Sequence, residues 1–208
     1  CSHTDIGEES QRVIFSEKGQ ASFYKHGEQL TGVKYNSDGT VRFLYEDRSM
    51  SDVAFKVTAA EDIKSCDGVT IYSAGSVIPG YSRVSPDADG RLILSDLLYG
   101  KYILTETETD AGHTATEAVR FTVNAETGDE TYVDHDIPNA RKTVSVTLKK
   151  VQDSNTSIPV PGARYGLYAK QDITDFAGAK LLDKDELAAY AVTDERGETS
   201  FTAADLPV

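Results

Sequence analysis

Turn-forming tetrapeptides recur at short intervals along this chain, and their spacing limits the folds open to it more than any other feature. NSDG occupies residues 36–39, DADG 87–90, ETGD 126–129 and DERG 194–197. Each ends in or contains a glycine beside Asn, Asp or another polar residue, the chemistry that lets a chain reverse at little cost. Short apolar runs lie between them: VRFLY 41–45, VAFKV 53–57, RLILS 91–95, KYILTE 101–106, VRFTV 119–123 and TVSVTL 143–148. Strands this short between turns this regular describe an all-β sandwich. Helical patterning is confined to DKDELAA at 183–189, about two turns at most.

Within that frame one stretch stands out, DLLYGKYILTE at 96–106. A charged corner leads to Gly100, which permits a tight turn. The extended chain that follows places Tyr102, Leu104 and Glu106 on one face, by the two-residue period of a strand. An acid on an inward face either marks the end of the strand or is kept for chemistry.

Charge narrows the partners. The 208 residues carry a formal net charge of -13 and a pI of about 4.7, a field that repels phosphate backbones and anionic lipid. Nucleic acid is therefore excluded as a partner. No apolar run approaches the length of a membrane span and no signal peptide is evident, so membrane insertion is not expected and the chain reads as a soluble part of something larger. The two cysteines, Cys1 and Cys66, read as unpaired thiols, one at the terminus and one in a polar SCDG loop. Cys1 fits a lipid-bearing residue of a processed lipoprotein or an expression scar.

The chain also repeats itself. VAFKVTAAEDI at 53–63 matches ARYGLYAKQDI at 163–173, an offset of 110 residues, so that Ala59, Asp62 and Ile63 recur as Ala169, Asp172 and Ile173. Gly90 recurs as Gly197, and Asp96–Leu97 as Asp205–Leu206. Upstream, ASFYKHGE at 21–28 aligns with VTLKKVQD at 146–153 at an offset of 125. The difference of 15 residues is an extra hairpin in the first copy, GVKYNSDGTVRFLYEDR, with its turn at Asp38–Gly39, and insertions of that kind belong in loops. The organisation expected is a linker or last strand of a preceding module over 1–18, a complete module over 19–140, and the N-terminal part of a second over 141–208. Arg141 and Lys142 form the charged joint.

A strand ending in lysine, GARYGLYAKQDI, TDERGETSFTAADLPV and LLYGKYILTET together resemble the collagen-adhesin B-type repeats, also called SpaA-like or prealbumin-like domains, of Gram-positive surface proteins and pilins. The resemblance covers roughly residues 20–208. It implies tandem Ig-like or prealbumin-like β-sandwich modules, the second incomplete, in an extracellular, wall-associated protein. Many such domains form an intramolecular isopeptide bond between a first-strand lysine and a last-strand asparagine, assisted by a glutamate. Carried onto this chain, the resemblance assigns Lys25 and Asn139 to the cross-link and Glu106 to its catalysis. Lys25 follows Ala21 and Phe23 on one face, Glu106 follows Tyr102 and Leu104, and Asn139 shares parity with Val133 and Ile137. Lys150 is the matching lysine of the second copy, on the face of Val144, Val146 and Leu148, and its partners would lie beyond Val208.

Burial suits that reaction. It disfavours charge, so a buried amine tends to the neutral, nucleophilic form and a buried acid to the protonated form that donates to the amide oxygen. Folding makes the encounter unimolecular, and each molecule reacts once. Every one of these residues also has an ordinary reading. A strand-end lysine snorkels to water, the acids of TETET face solvent, with Glu108 among them, and Asn after Pro forms turns.

Other chemistry has thin support. The side chains of DHD 134–136 alternate across a strand and do not converge on a metal. DADG 87–90 lacks the ligand count for calcium. His3, His26, His113 and His135 have no paired spacing, and no nucleophile elbow or phosphate loop occurs. No cofactor, no metal and no conventional enzyme activity is expected. The function expected is a structural stalk or pilin-like segment that holds a distal domain away from the wall, its partners being neighbouring modules of the same protein. The alternative is an adhesin module that grips a host matrix protein or glycan through the insertion 26–50, with Tyr35, Phe43 and Tyr45, or through an exposed strand edge. Packing those aromatics on their own domain is the simpler use, and the absence of Trp argues against a carbohydrate-binding groove.

Overall fold

Alternation along the strands builds two cores, and the residues that break the apolar pattern mark the site. The computed structural model describes residues 17–124, 134–201 and 205–208. Cys1, the strand expected before residue 17, the ETGD turn and Val133 lie outside them. Ten strands come first: β1 Lys18–Tyr35, β2 Val41–Ser49, β3 Ala54–Ala59, β4 Ile63–Lys64, β5 Thr70–Tyr72, β6 Arg91–Leu98, β7 Gly100–Glu108, β8 His113–Thr114, β9 Val119–Val123 and β10 Asp134–Arg141. Six follow: β11 Thr147–Lys149, β12 Arg164–Tyr168, β13 Ile173–Thr174, β14 Lys180–Leu182, β15 Leu187–Val192 and β16 Glu198–Ser200. The described residues contain no helix.

The chain divides into two compact units, Cys1–Gly27 with Ser49–Ala140, and Glu28–Arg48 with Arg141–Val208. In the first, β6 and β10 flank the start of β1, antiparallel and parallel respectively, and β8 follows β10. The second sheet runs β3-β7-β9. Phe23, Leu92, Leu94 and Ile137 meet Phe55, Val57, Tyr102, Leu104 and Phe121 in one core. Phe121 is its hub, edge-on to Phe23 at 5.2 Å and stacked on Tyr102 at 5.3 Å, geometries that favour aromatic quadrupoles.

The second unit departs from the expectation in an informative way. The hairpin of Glu28–Arg48 packs here and not with residues 49–140, where the sequence reading had placed it as a loop insertion. Its second arm alternates Val41, Phe43 and Tyr45, and these with Leu30 and Val33 of the first join Ala169, Leu182, Ala188, Ala189, Phe201 and Leu206 in a second core. Backbone bonds such as Phe176 N to Leu30 O, 3.0 Å, fasten it. Arg141, read from sequence as part of a joint, lies 3.8 Å over the Tyr45 ring and pairs with Asp205 at 2.9 Å. Burial pushes the Tyr45 phenol up to about 12 against the pull of that guanidinium.

Three local expectations are corrected. Residues 183–189 form a turn and the start of β15, with Asp183 N bonded to Glu186 Oε2 at 2.9 Å and Asp185 left-handed at φ 65°. The antiparallel ladder to β12 outweighs the helical propensity of Glu, Leu and Ala. Of the run 143–148 only Thr147 and Leu148 lie in a strand, β11, where β16 supplies a partner. Cys66 is disulfide-bonded and so is not an unpaired thiol.

Candidate functional site

Lys25 is held by its backbone before its side chain does anything. Its N–H donates to Gly90 O at 2.7 Å, and its carbonyl accepts Met50 N–H at 3.0 Å. Gly90 makes this possible: its φ is +77°, and a Cβ there would sit 2.4 Å from Lys25 O. In the parallel β1–β10 ladder Lys25 stands opposite Ile137 and Gly27 opposite Asn139. A Cβ on Gly27 would meet Met50 Sδ at 2.9 Å and Asn139 O at 3.0 Å, so the glycine leaves the space that β10 fills.

Glu106 comes from the other sheet, at the end of the Tyr102, Leu104 face that the strand period predicts. Lys25, Glu106 and Asn139 are all buried, Lys25 at 0% exposure. Glu106 Oε1 accepts Asn139 Nδ2–H at 2.7 Å, while Oε2 lies 3.5 Å from Lys25 Nζ and accepts the Thr116 N–H at 2.8 Å. Lys25 Nζ donates to Ile137 O at 2.7 Å. One carboxyl group therefore touches both nitrogens, each through a different oxygen. Asn139 Nδ2 also donates to Thr109 Oγ1 at 2.9 Å, and the buried Asn139 Oδ1 has no hydrogen-bond partner among the described residues.

Electrostatics favour a reactive amine. Burial lowers the Lys25 pKa below the usual lysine range, and the negative field of Glu106 and Asp110 offsets part of that. The arrangement can pass a proton between the lysine and the amide nitrogen through one carboxyl group. The amide presents its nitrogen, not its oxygen, to Glu106, so the shuttle half of the expected chemistry has its contacts here and the polarising half does not in this rotamer.

Other candidates fall away from this cluster. Lys150 keeps the backbone bond of Lys25, donating N–H to Gly197 O at 2.7 Å, but is exposed. Glu108 faces solvent and forks onto Arg83 at 2.9 and 2.8 Å. His135 stacks on Phe23 at 5.5 Å, and Asp136 is exposed. Among the described residues no group of three His, Cys, Asp or Glu is placed to hold a metal ion. The insertion's aromatics divide: Phe43 is 1% exposed, Tyr45 is half-buried, and the exposed Tyr35 donates its hydroxyl to Glu186 at 3.0 Å. Sequence reasoning missed Thr109 and the Thr116 amide. Both lie beyond the end of β7, where strand parity no longer says which way a side chain points.

Residues 26–137 match the family model for SpaA, a prealbumin-like fold domain, which is more than half of the 208 residues. The chain belongs to this family. The span matched to the SpaA domain begins one residue after Lys25 and ends two before Asn139. Among solved structures, the TIE protein of Bacillus anthracis is similar with a TM-score of 0.54 at 16% identity, over 91% of this chain and 26% of that one. The shaft pilin SpaA of Lactobacillus rhamnosus GG gives 0.39 at 15% identity, over 88% of this chain and 81% of the pilin. GBS52, the minor pilin of Streptococcus agalactiae, gives 0.40 at 18%, over 64% and 48%. The chain thus spans about a quarter of the TIE protein and about half of GBS52. No curated protein matches it in sequence.

Proposed function

We propose that this chain is a stalk segment of a Gram-positive surface protein, built from two prealbumin-like modules, the first welded by an isopeptide bond between Lys25 and Asn139. The observation that carries the reading is the buried contact of Lys25 and Asn139 with the two oxygens of Glu106. The lysine ammonium gives a proton to Glu106 and the neutral amine attacks Asn139 Cγ. The Nζ–Cγ bond forms, Glu106 passes that proton to Nδ2 and takes the second proton from Nζ, the Cγ–Nδ2 bond breaks, and ammonia leaves, carrying the second proton away as ammonium. Glu106 ends as it began, so the process is single-turnover self-maturation and not enzyme turnover. A covalent tie between β1 and β10 lets tension bypass the hydrogen-bonded ladder, which suits a part that bears load at a cell surface.

The two-module reading draws on recurring geometry. Gly90 and Gly197 have φ of 77° and 73°, and Asp96 and Asp205 of 57° and 51°. Asp62 Oδ1 accepts Ala74 N–H at 2.9 Å as Asp172 Oδ1 accepts Lys184 N–H at 2.8 Å. Neighbouring modules of the same protein are the natural partners. For a host protein or glycan, Tyr35 is the exposed one of the three hairpin aromatics Tyr35, Phe43 and Tyr45. Intact mass of the reduced chain tests the bond: it should be one ammonia less than that of the sequence, and a full sequence mass would remove the weld and leave a plain β-spacer.

A further inference from the structure

Among the described residues, Thr109 is the one side chain besides Glu106 with a hydrogen bond to the reacting amide. Its Oγ1 accepts from Asn139 Nδ2 at 2.9 Å, beside Glu106 Oε1 at 2.7 Å. A carboxamide nitrogen carries two N–H groups, and these two oxygens take both. One contact alone would leave the amide free to pivot about that hydrogen bond. Two contacts fix its plane, and the plane decides whether a face of Cγ or its edge meets an incoming amine. The unpartnered Oδ1 sharpens the point, because an unmet buried acceptor costs about 1–3 kcal/mol and pulls the amide toward other orientations. Something must hold it against that pull.

We propose, resting on the isopeptide reading above, that Thr109 is a catalytic residue of the cross-linking reaction: with Glu106 it fixes the plane of the Asn139 carboxamide and steadies Nδ2 until it departs as ammonia. As Lys25 Nζ bonds to Cγ, Nδ2 becomes tetrahedral and basic. Its lone pair must then face the proton on Glu106. Thr109 Oγ1 accepts one of the remaining N–H bonds and turns the lone pair that way. The hydroxyl neither gains nor loses a proton over the cycle, so the balance of the reaction is unchanged.

The test is a time course of ammonia loss in the full chain, made by cell-free synthesis, quenched at intervals in acidic denaturant and read by intact mass. T109V removes the hydroxyl at nearly constant shape and should react about tenfold more slowly, the worth of one hydrogen bond to the reacting group. T109S restores the hydroxyl and should run near the wild-type rate. Circular dichroism establishes that the valine variant folds, and T109A, which removes the hydroxyl without adding bulk, gives the same comparison if it does not. A hydroxyl-free variant at the wild-type rate, or T109S as slow as T109V, overturns the role given to Thr109. A wild-type chain that loses no ammonia overturns the isopeptide reading itself, which is a different result.

Discussion

Replacing Glu106 by Gln probes the site with least damage to the core. The side chains have nearly the same volume, so no cavity opens, and the amide oxygen of Gln can still accept the Thr116 N–H that Glu106 Oε2 accepts now. What is lost is the acid, together with the acceptor for the Asn139 Nδ2–H, since the Gln Nε2 that takes the Oε1 position can only donate. If Glu106 drives the reaction, the variant keeps its ammonia and the bond between residues 25 and 139 never forms. That bond closes a loop of 114 residues, and by the chain-entropy relation used for disulfides it restricts the unfolded state by about 5 kcal/mol at 25 °C. The first unit has 119 residues, and an unfolding entropy near 2.1 cal/mol/K per residue gives about 0.25 kcal/mol/K for it. The melting temperature of that unit should therefore fall by about 20 °C. Loss of the ionisable partner of Lys25 adds about 1–3 kcal/mol in the same direction. Scanning calorimetry with intact mass on the same samples makes the measurement. Should E106Q melt within a few degrees of a wild-type chain shown by mass to be cross-linked, the entropic argument is wrong. If E106Q sheds ammonia at the wild-type rate, the acid has been misassigned.

Three further outcomes are expected. In N139A the Lys25 amine persists, and its folded-state pKa lies below the ordinary lysine value because burial disfavours the charge. The unfolded chain then binds a proton that the folded chain has released, so stability should rise with pH from the folded value up to about 10.4. The rise should be missing from K25M/N139A in parallel denaturant titrations, and identical profiles would contradict the assignment. F43A empties a fully buried place in the second core and should cost that unit about 3–5 kcal/mol, read as early hydrogen exchange in β12 and β15 while β3 and β7 keep their protection; unchanged exchange there would return the hairpin to the status of a loop. G90A forces a side chain into φ +77° and against the Lys25 carbonyl, so it should destabilise the first unit by more than about 1–2 kcal/mol and slow ammonia loss, and a wild-type rate and melt would show that the backbone anchor of Lys25 does not matter.

Parity along the strands placed Lys25 and Glu106 on apolar faces, while the grouping of these two with Asn139 came from the family resemblance. Ala21, Phe23 and Lys25 share a face, as do Tyr102, Leu104 and Glu106, and a period of two predicts both without any tertiary knowledge. The turns were equally readable where glycine ends them, as at Gly39, Gly90 and Gly197, all with positive φ. The allegiance of the hairpin 28–48 was not. Alternation says that Val41 and Phe43 are buried, but not against which core, and that choice rests on contacts more than a hundred residues away, such as Tyr45 Oη to Asp205 O. The helical reading of 183–189 failed for a related reason, since local propensity cannot see the ladder to β12. Thr109 gave no signal because it follows the last residue of β7, where the chain leaves the regular period.

The central claim is that one buried carboxyl group joins Lys25 to Asn139. Proteolytic digestion of the denatured wild-type chain followed by tandem mass spectrometry tests it most directly. The account predicts a branched peptide in which the Lys25 side chain is acylated by the Asn139 side chain, with one ammonia missing from the pair. Recovery of both peptides separately, each at its full mass, would contradict it.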